Sequence, residues 1–194
     1  MQNIIFCGVG GQGVILASKI VMETAKKKGY DVKESEVHGM AQRGGSVNCN
    51  VRYGEKVYSP LIPLGRADYV VSFELLESLR FLPFLSAEGK LVVNRLRIDP
   101  VPVQNGVMKY PEADLWLEKN VSGTILVATD EVLKEAGNNK ALNIVMLGAL
   151  SSFLEFETKD WEDSIAALVK PRFVDLNIKA FELGKALTKD GKKL

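Results

Sequence analysis

The chain has 194 residues, 46% of them hydrophobic, and its 25 basic and 24 acidic side chains give a formal net charge of +1. This composition is typical of one globular domain with a sizeable core, and it does not suggest nucleic acid, a membrane surface or another strongly charged partner. Two cysteines and one histidine are too few for a four-thiolate iron–sulfur cluster or a two-histidine metal site, so we expect no metal bound by this chain alone.

The first predicted strand leads into a glycine-rich turn. The apolar run at residues 4–7 precedes four glycines within six positions, and an apolar helical repeat follows. This pattern predicts a buried parallel strand, a tight turn and a helix. The spacing Gly-x-Gly-x-x-Gly is that of a dinucleotide-binding turn, and Glu34 or Glu36 lies near the distance of the acidic residue that contacts a ribose. Alternatively, the glycines permit close packing or the approach of a partner, with no nucleotide bound. The turn comprises Gly8, Gly10, Gly11, Gln12 and Gly13.

A polar, glycine-rich segment follows the second predicted strand, and it is too short for a helix. The fork of an arginine suits a phosphate or a carboxylate, and neighbouring glycine N–H groups can share that anion. We therefore predict that this segment binds a ligand or a partner. In the competing interpretation, the histidine is a structural residue and the arginine pairs with the carboxylate of Glu34 or Glu74. Cys7 is interpreted as a core residue because no base lies near it in sequence. The candidate site residues of this loop are His38, Gln42, Arg43, Gly44, Gly45 and Ser46.

The remaining pattern alternates strands with helices. Period-two alternation predicts a strand over residues 47–53, with a hairpin return to residues 56–59 that Pro60 and Pro63 close. This order of strands and helices predicts a Rossmann-like α/β fold, with a mostly parallel, doubly wound sheet, an antiparallel hairpin excursion and C-terminal helices. We expect one domain over residues 1–187 and a polar tail over 188–194. The other predicted strands are 30–37, 69–73, 90–94 and 124–128, and the predicted helices are 13–28, 74–85, 112–120, 130–153, 158–169 and 174–187, with Pro100 and Pro102 in a linker.

Targeting signals are not evident in the sequence. Strand-like residues begin almost at Met1 with no basic segment before them, so we expect no signal peptide. The most apolar later stretch, residues 142–154, is too short to span a bilayer. These features predict a cytoplasmic protein that is not embedded in a membrane.

Two motifs together resemble a known family. Gly-Val-Gly-Gly-Gln-Gly at residues 8–13, with Glu-Val-His-Gly-Met-Ala-Gln-Arg-Gly-Gly-Ser-Val at residues 36–47, is similar to the smaller, gamma-type subunit of the 2-oxoacid:ferredoxin oxidoreductases. The second motif, with the stretches at residues 57–63 and 73–80, most resembles the branch formed by the beta subunits of indolepyruvate:ferredoxin oxidoreductases.

The resemblance implies a subunit of an enzyme of anaerobic metabolism that is inactive alone. Such complexes oxidatively decarboxylate a 2-oxoacid to an acyl-CoA and reduce ferredoxin. Thiamine diphosphate, Mg²⁺ and iron–sulfur clusters are expected in the large partner subunit, so this chain binds no cofactor alone and shapes an active-site interface near coenzyme A. No catalytic residue is assigned to it.

Several alternatives remain open. The complex could instead use 2-oxoglutarate, pyruvate or a branched-chain 2-oxoacid. A free-standing NAD(P)-binding reductase and a ligand-binding regulatory module are the other classes, and a homodimer of the isolated chain is also left open.

Overall fold

A computed structural model describes residues 1–39 and 44–189, apart from the side chains of His38 and Lys189. Within these residues the strands are β1 (Gln2–Val9), β2 (Asp31–His38), β3 (Ser46–Gly54), β4 (Ala67–Ser72), β5 (Leu85–Asn94) and β6 (Thr124–Val127). The α-helices are α1 (Val14–Lys27), α2 (Leu75–Phe81), α3 (Val101–Gln104), α4 (Ala113–Asn120), α5 (Asp130–Ala136), α6 (Leu142–Ser151), α7 (Thr158–Leu168) and α8 (Val174–Lys189). Short 3₁₀ turns lie at Leu82–Phe84, Asn139–Ala141 and Pro171–Phe173.

The described strands form one sheet in the order β2-β3-β1-β4-β5-β6. The pairs β1–β4, β4–β5 and β5–β6 are parallel, whereas β3 runs antiparallel to both β1 and β2. Because parallel strands end at the same edge of a sheet, the turn after β1 lies beside the ends of β4 and β5. The prediction of a mostly parallel sheet with an antiparallel excursion is confirmed.

Helices cover both faces of the sheet, and the run at residues 4–7 in β1 is therefore fully buried. Alternate residues of this run belong to two hydrophobic cores. The larger core includes Trp161 of α7 and Phe181 of α8, and the smaller includes Leu75 of α2 and Leu117 of α4. This two-layer burial explains why β1 is continuously apolar rather than alternating.

The predicted hairpin from β3 to residues 56–59 is wrong, since the antiparallel partners of β3 are β2 and β1. The backbone after β3 is held by side chains instead of by a strand ladder. The N–H of Val57 donates to the carboxylate of Asp31 at 2.9 Å. The guanidinium of Arg52 donates to the carbonyl of Ser59 at 2.8 Å. These contacts use backbone groups that a hairpin strand would need.

Other element boundaries differ in smaller ways. The helix predicted over residues 130–153 is divided into α5 and α6, because Gly137 adopts φ 75° and ends α5. The predicted proline linker contains the single-turn helix α3. Helix α8 ends at Lys189, and residues 190–194 of the predicted tail lie outside the described residues. No helix in the described ranges combines the length and apolarity needed to cross a membrane.

Candidate functional site

The turn between β1 and α1 is filled by one of its own side chains. The carboxamide oxygen of Gln12 accepts the N–H of Val9 at 2.7 Å, and its Nε2 donates to the carbonyl of Phe73 at 2.9 Å. Val9 ends β1, and Phe73 directly follows β4. Gln12 therefore ties the turn to the ends of two neighbouring parallel strands.

Two glycines of this turn are required by close contacts within the protein. A Cβ at Gly8 would lie 2.8 Å from Oε1 of Gln12 and 3.0 Å from Cβ of Phe73. Gly13 has φ 80°, and a Cβ there would lie 2.8 Å from Nδ2 of Asn143 at the start of α6. Nδ2 of Asn143 also donates to the carbonyl of Gly13 at 3.3 Å. These contacts favour the packing interpretation of the turn.

The polar loop is anchored beside the same turn. The N–H of Gly10 donates to the carbonyl of Gly45 at 2.8 Å, and the N–H of Gly39 donates to the carbonyl of Ser46 at 3.2 Å. Gly44 is exposed with φ 78°. The structure thus joins the two sequence motifs at one edge of the sheet.

The centre of the loop, residues 40–43, lies outside the described residues, as does the side chain of His38. The roles proposed for His38, Gln42 and Arg43 therefore stay predictions. The described parts of the loop are Gly39, Gly44, Gly45 and Ser46, and these residues fix its two ends.

A buried carboxylate that spacing did not single out lies against this loop. Glu77 of α2 is 5% exposed, and its Oε2 accepts the hydroxyl of Ser46 at 2.5 Å. Its Oε1 lies 3.1 Å from Nε of Arg80, one helical turn further along α2. Burial raises the pKa of Glu77, while the Ser46 hydrogen bond and the Arg80 charge oppose that rise. The contact joins α2 to the start of β3, and no local sequence pattern reveals it.

Glu74, the other buried acid of this region, caps α2. Its Oε2 accepts the N–H of Glu77 at 2.9 Å, and its Oε1 accepts the N–H of Ile98 at 3.0 Å. The hydroxyl of Tyr110 also donates to Oε1, and the guanidinium of Arg97 lies 4.5 Å from the centre of the Tyr110 ring. These contacts give Glu74 a structural role in fixing α2.

The two glutamates considered for ribose binding lie on β2. Glu34 accepts the hydroxyl of Ser18 at 2.9 Å, and Glu36 forms an ion pair of 3.7 Å with Lys19. Burial raises the pKa of Glu34. In a dinucleotide-binding fold the strand carrying this acid is adjacent to the first strand, whereas here β3 separates β2 from β1. The geometry therefore does not support the nucleotide interpretation.

Both cysteines are fully buried, Cys7 in the smaller core and Cys49 in the larger. The prediction that Cys7 is a core residue is confirmed. Burial raises the pKa of both thiols, that of Cys49 to about 11. Because an iron–sulfur cluster needs several thiolate ligands at one place, these two residues do not fit one.

Comparisons with known proteins agree on one family. The sequence matches the pyruvate ferredoxin/flavodoxin oxidoreductase family over residues 3–187. Indolepyruvate oxidoreductase subunit IorB of Thermococcus kodakarensis is 39% identical over 97% of this chain and 96% of its own length.

Two solved structures share the fold. Pyruvate oxidoreductase subunit PORC of Thermotoga maritima has a TM-score of 0.72 and 24% identity, covering 95% of both chains. The 2-oxoglutarate:ferredoxin oxidoreductase of Magnetococcus marinus has a TM-score of 0.75 and 20% identity, covering 100% of this chain but 32% of that one. In the second protein the fold is part of a much longer polypeptide.

Proposed function

The chain belongs to the pyruvate ferredoxin/flavodoxin oxidoreductase family, and we propose that its complex acts on indolepyruvate or a related aryl 2-oxoacid. It is the small subunit of a 2-oxoacid:ferredoxin oxidoreductase. Such an enzyme releases CO₂ from the 2-oxoacid, transfers the acyl group to coenzyme A and passes the electrons to ferredoxin. The aryl assignment follows the relative that is 39% identical over almost the whole chain and is named for indolepyruvate.

The observation that carries the proposed role is the hydrogen bond of 2.8 Å from the N–H of Gly10 to the carbonyl of Gly45. This bond holds the glycine-rich turn and the polar loop together at the carboxyl edge of the parallel strands. Ligands of open α/β sheets bind outside that edge. We infer that the loop carrying Gln42 and Arg43 faces the shared active site, where the arginine holds an anionic group of the 2-oxoacid or of coenzyme A.

Redox cofactors are assigned to the partner subunits. There, thiamine diphosphate with Mg²⁺ would supply the electron sink that decarboxylation needs, and iron–sulfur clusters would supply electron transfer. Cys7 and Cys49 are buried in separate cores and cannot ligate a cluster together. The contribution of this chain is therefore to bind, orient and enclose, through the turn and the loop.

Exposed apolar side chains on a fixed segment support assembly with a larger partner. Tyr58, Leu61 and Leu64 are 88%, 60% and 66% exposed. Arg52 holds this segment through the carbonyls of Ser59 and Leu61, at 2.8 and 3.0 Å. Large apolar side chains on an ordered backbone are typical of protein interfaces.

The direct test is to produce the chain alone and together with its large subunit. We expect the pure chain to be colourless and inactive, and the complex to reduce a dye with indolepyruvate and coenzyme A. Parallel assays with 2-oxoglutarate, pyruvate and a branched-chain 2-oxoacid measure the specificity. Turnover or a bound cluster in the pure chain would refute the subunit role, and a higher kcat/KM for another 2-oxoacid would refute the aryl assignment.

Arg43→Ala tests the loop within the complex. We expect kcat/KM for the oxoacid or for coenzyme A to fall roughly 10- to 1,000-fold, about 2–4 kcal/mol, because the positive charge that binds the anionic group is lost. Arg43→Lys should restore only part of the activity, since a point charge cannot make a two-pronged contact. Arg172→Ala removes an exposed arginine from the C-terminal region and is the matched control. Normal kinetics in Arg43→Ala would remove this residue from the site.

Calorimetry with NAD(H) and NADP(H) tests the remaining alternative, a free-standing NAD(P)-binding reductase. We expect no binding at micromolar concentration, because protein groups occupy the turn. Micromolar affinity that is lost in Gly10→Ala would favour a free-standing reductase instead.

A further inference from the structure

The sheet ends at β6, and one side of this strand is open. Among the described strands, β6 pairs only with β5. The N–H of Leu91 donates to the carbonyl of Gly123 at 3.2 Å, and the N–H of Arg95 donates to the carbonyl of Val127 at 2.9 Å. Because alternate residues of a parallel strand bond to the same neighbour, the backbone groups of the intervening residues point away from β5. The outward-facing residues are Thr124 and Leu126.

The two edges of the sheet differ in charge. The strand at the opposite edge is β2, and charged side chains on an edge strand oppose pairing with another chain. The charged residues of β2 are Asp31, Lys33, Glu34 and Glu36. In contrast, β6 has the sequence Thr-Ile-Leu-Val, with neither a charge nor a proline. The β6 edge therefore lacks two of the features by which sheets avoid adding a strand.

A groove of about 680 Å³ follows this open edge. Its lining includes every residue from Val121 to Ala128, so it extends along the whole of β6. Asn120 at the end of α4 contributes to one wall, and Leu187 and Thr188 of α8 contribute to the other. Since α4 packs on the smaller core and α8 on the larger, helices extend past β6 on both faces of the sheet. We refer to this space as the edge groove.

Hydrogen bonds fix the wall of the edge groove on the side of the larger core. The hydroxyl of Thr188 donates to the hydroxyl oxygen of Ser152 at 2.8 Å, which joins the end of α8 to the end of α6. Phe153 also lines the groove, and its carbonyl accepts the hydroxyl of Tyr69 at 2.8 Å. The groove is therefore formed by packed elements rather than by the chance positions of exposed side chains.

The shape of the edge groove favours one extended segment over a second copy of this chain. In a second copy β6 is recessed between α4 and α8 in the same way, so the helices of the two copies would meet before the strands came within hydrogen-bond distance. A protruding segment of about five residues matches β6 in length. Its backbone would pair with Thr124 and Leu126, which is the mode of recognition known as strand addition.

The edge groove is continuous with the edge of the sheet that carries the glycine-rich turn. Ala128 lines the groove, and the hydroxyl of the next residue, Thr129, donates to Oδ1 of Asn94 at 2.9 Å. Nδ2 of Asn94 donates to the carbonyl of Phe73 at 3.2 Å, and the same carbonyl accepts Nε2 of Gln12 at 2.9 Å. A partner that contacts the turn therefore lies beside the open end of the groove.

We propose that the edge groove binds an extended, largely apolar segment of the large subunit, which adds to β6 as a further strand of the sheet. This inference rests on the proposed function, because it takes the large subunit as the partner at the carboxyl edge. Main-chain hydrogen bonds to β6 supply affinity, and alternate apolar side chains of the segment contact the two walls. The groove is a docking site and takes no part in the chemistry.

Hydrogen exchange of the isolated full-length chain and of its complex with the large subunit is the primary test. The outward N–H groups of Thr124 and Leu126 gain acceptors when a strand is added. We expect the peptide covering residues 122–128 to contain amides that exchange at least about tenfold more slowly in the complex. The peptide covering residues 31–35 of the charged edge provides the comparison, and its exchange rate should not change.

Blocking the edge groove gives the second readout. Ser122 and Ala128 line its two ends and are exposed, so Ser122→Trp and Ala128→Trp add bulk to the groove without replacing a core residue. We expect each variant to raise the Kd for the large subunit at least about tenfold. Ala167→Trp makes the same change at an exposed position of α7 and should bind as the wild type does. The Tm of each isolated variant verifies its fold.

The outcomes separate this inference from the proposed function. Unchanged exchange over residues 122–128 in an active complex would overturn the docking proposal and leave the subunit role supported. Slow exchange in the isolated chain would also overturn it, since a second copy covers the edge if the protection rises with concentration, and the chain covers its own edge if it does not. Slower exchange in a complex that prefers another 2-oxoacid would support the docking proposal and refute the aryl assignment.

Discussion

Replacing Gly13 by alanine tests whether the glycine-rich turn is built for contacts within the protein. Gly13 has φ 80°, and alanine in the left-handed region costs about 1–2 kcal/mol. The added Cβ would lie 2.8 Å from Nδ2 and 2.9 Å from Cγ of Asn143, a residue that is 4% exposed. Moving that amide breaks its bond to the Gly13 carbonyl, at roughly 1–3 kcal/mol for a buried polar group.

The sum predicts that Gly13→Ala lowers the free energy of unfolding by roughly 2–5 kcal/mol. For a chain of this size, 1 kcal/mol corresponds to about 2–4 °C in Tm, so the midpoint should fall by roughly 4–20 °C. Thermal and urea unfolding of the full-length chain measure both quantities.

Gly29→Ala provides the matched control because Gly29 has φ 85° and no atom within 4 Å of an added Cβ. The Gly29→Ala variant should lose only the free energy needed to place alanine in the left-handed region, about 1–2 kcal/mol. In an Asn143→Ala background the penalty of Gly13→Ala should fall towards that value, since the clashing amide is gone and only Cβ of residue 143, 3.1 Å from the added Cβ, remains close. Equal losses for Gly13→Ala and Gly29→Ala in the wild-type background would show that the Asn143 contact does not constrain the turn.

Two further variants probe the same edge of the sheet. Gln12→Ala removes the bonds to the Val9 N–H and the Phe73 carbonyl and should destabilise the chain by about 1–3 kcal/mol, measured by urea unfolding; an unchanged midpoint would contradict its bridging role. Burial raises the pKa of Glu77 above its ordinary value of 4.5, so the folded chain binds the carboxyl proton more tightly than the unfolded chain does. The free energy of unfolding of the wild type therefore falls as the pH rises from about 4.5 through the raised pKa. The unfolding free energy of Glu77→Gln minus that of the wild type should therefore increase over this range, and a constant difference would contradict the raised pKa.

Much of the fold could be predicted because its main elements carry local signals. The run at residues 4–7 is apolar throughout, and it is buried in two cores because helices cover both faces of β1. The break at Gly137 was harder to predict, since a glycine within an apolar helical pattern is often tolerated. The error over residues 56–59 arose because strand pairing is a long-range property. That segment is held instead by two side chains, Asp31 on β2 and Arg52 on β3.

The sequence predicted the part of the candidate site that depends on a special local backbone conformation. It missed the part that depends on contacts between residues far apart in the chain. The glycines at positions 8 and 13 indicated a tight turn, although their neighbours Phe73 and Asn143 could not be read from the sequence. Glu77 carries no spacing signal, because its partner Ser46 is 31 residues away on another element. Its importance follows only from burial and hydrogen bonding.

The antiparallel strand β3 explains why a dinucleotide-like spacing does not produce a dinucleotide-like site. A Gly-x-Gly-x-x-Gly motif specifies a local turn, but the contact of an acidic residue with a ribose depends on which strand lies beside that turn. Here β3 takes the place next to β1 and moves Glu34 and Glu36 one strand further away. Its leading loop supplies the Gly45 carbonyl to the Gly10 N–H. One inserted strand therefore both separates the acidic residues from the turn and brings a polar loop to it, so a local nucleotide-type motif is placed in surroundings that a dinucleotide-binding fold does not have.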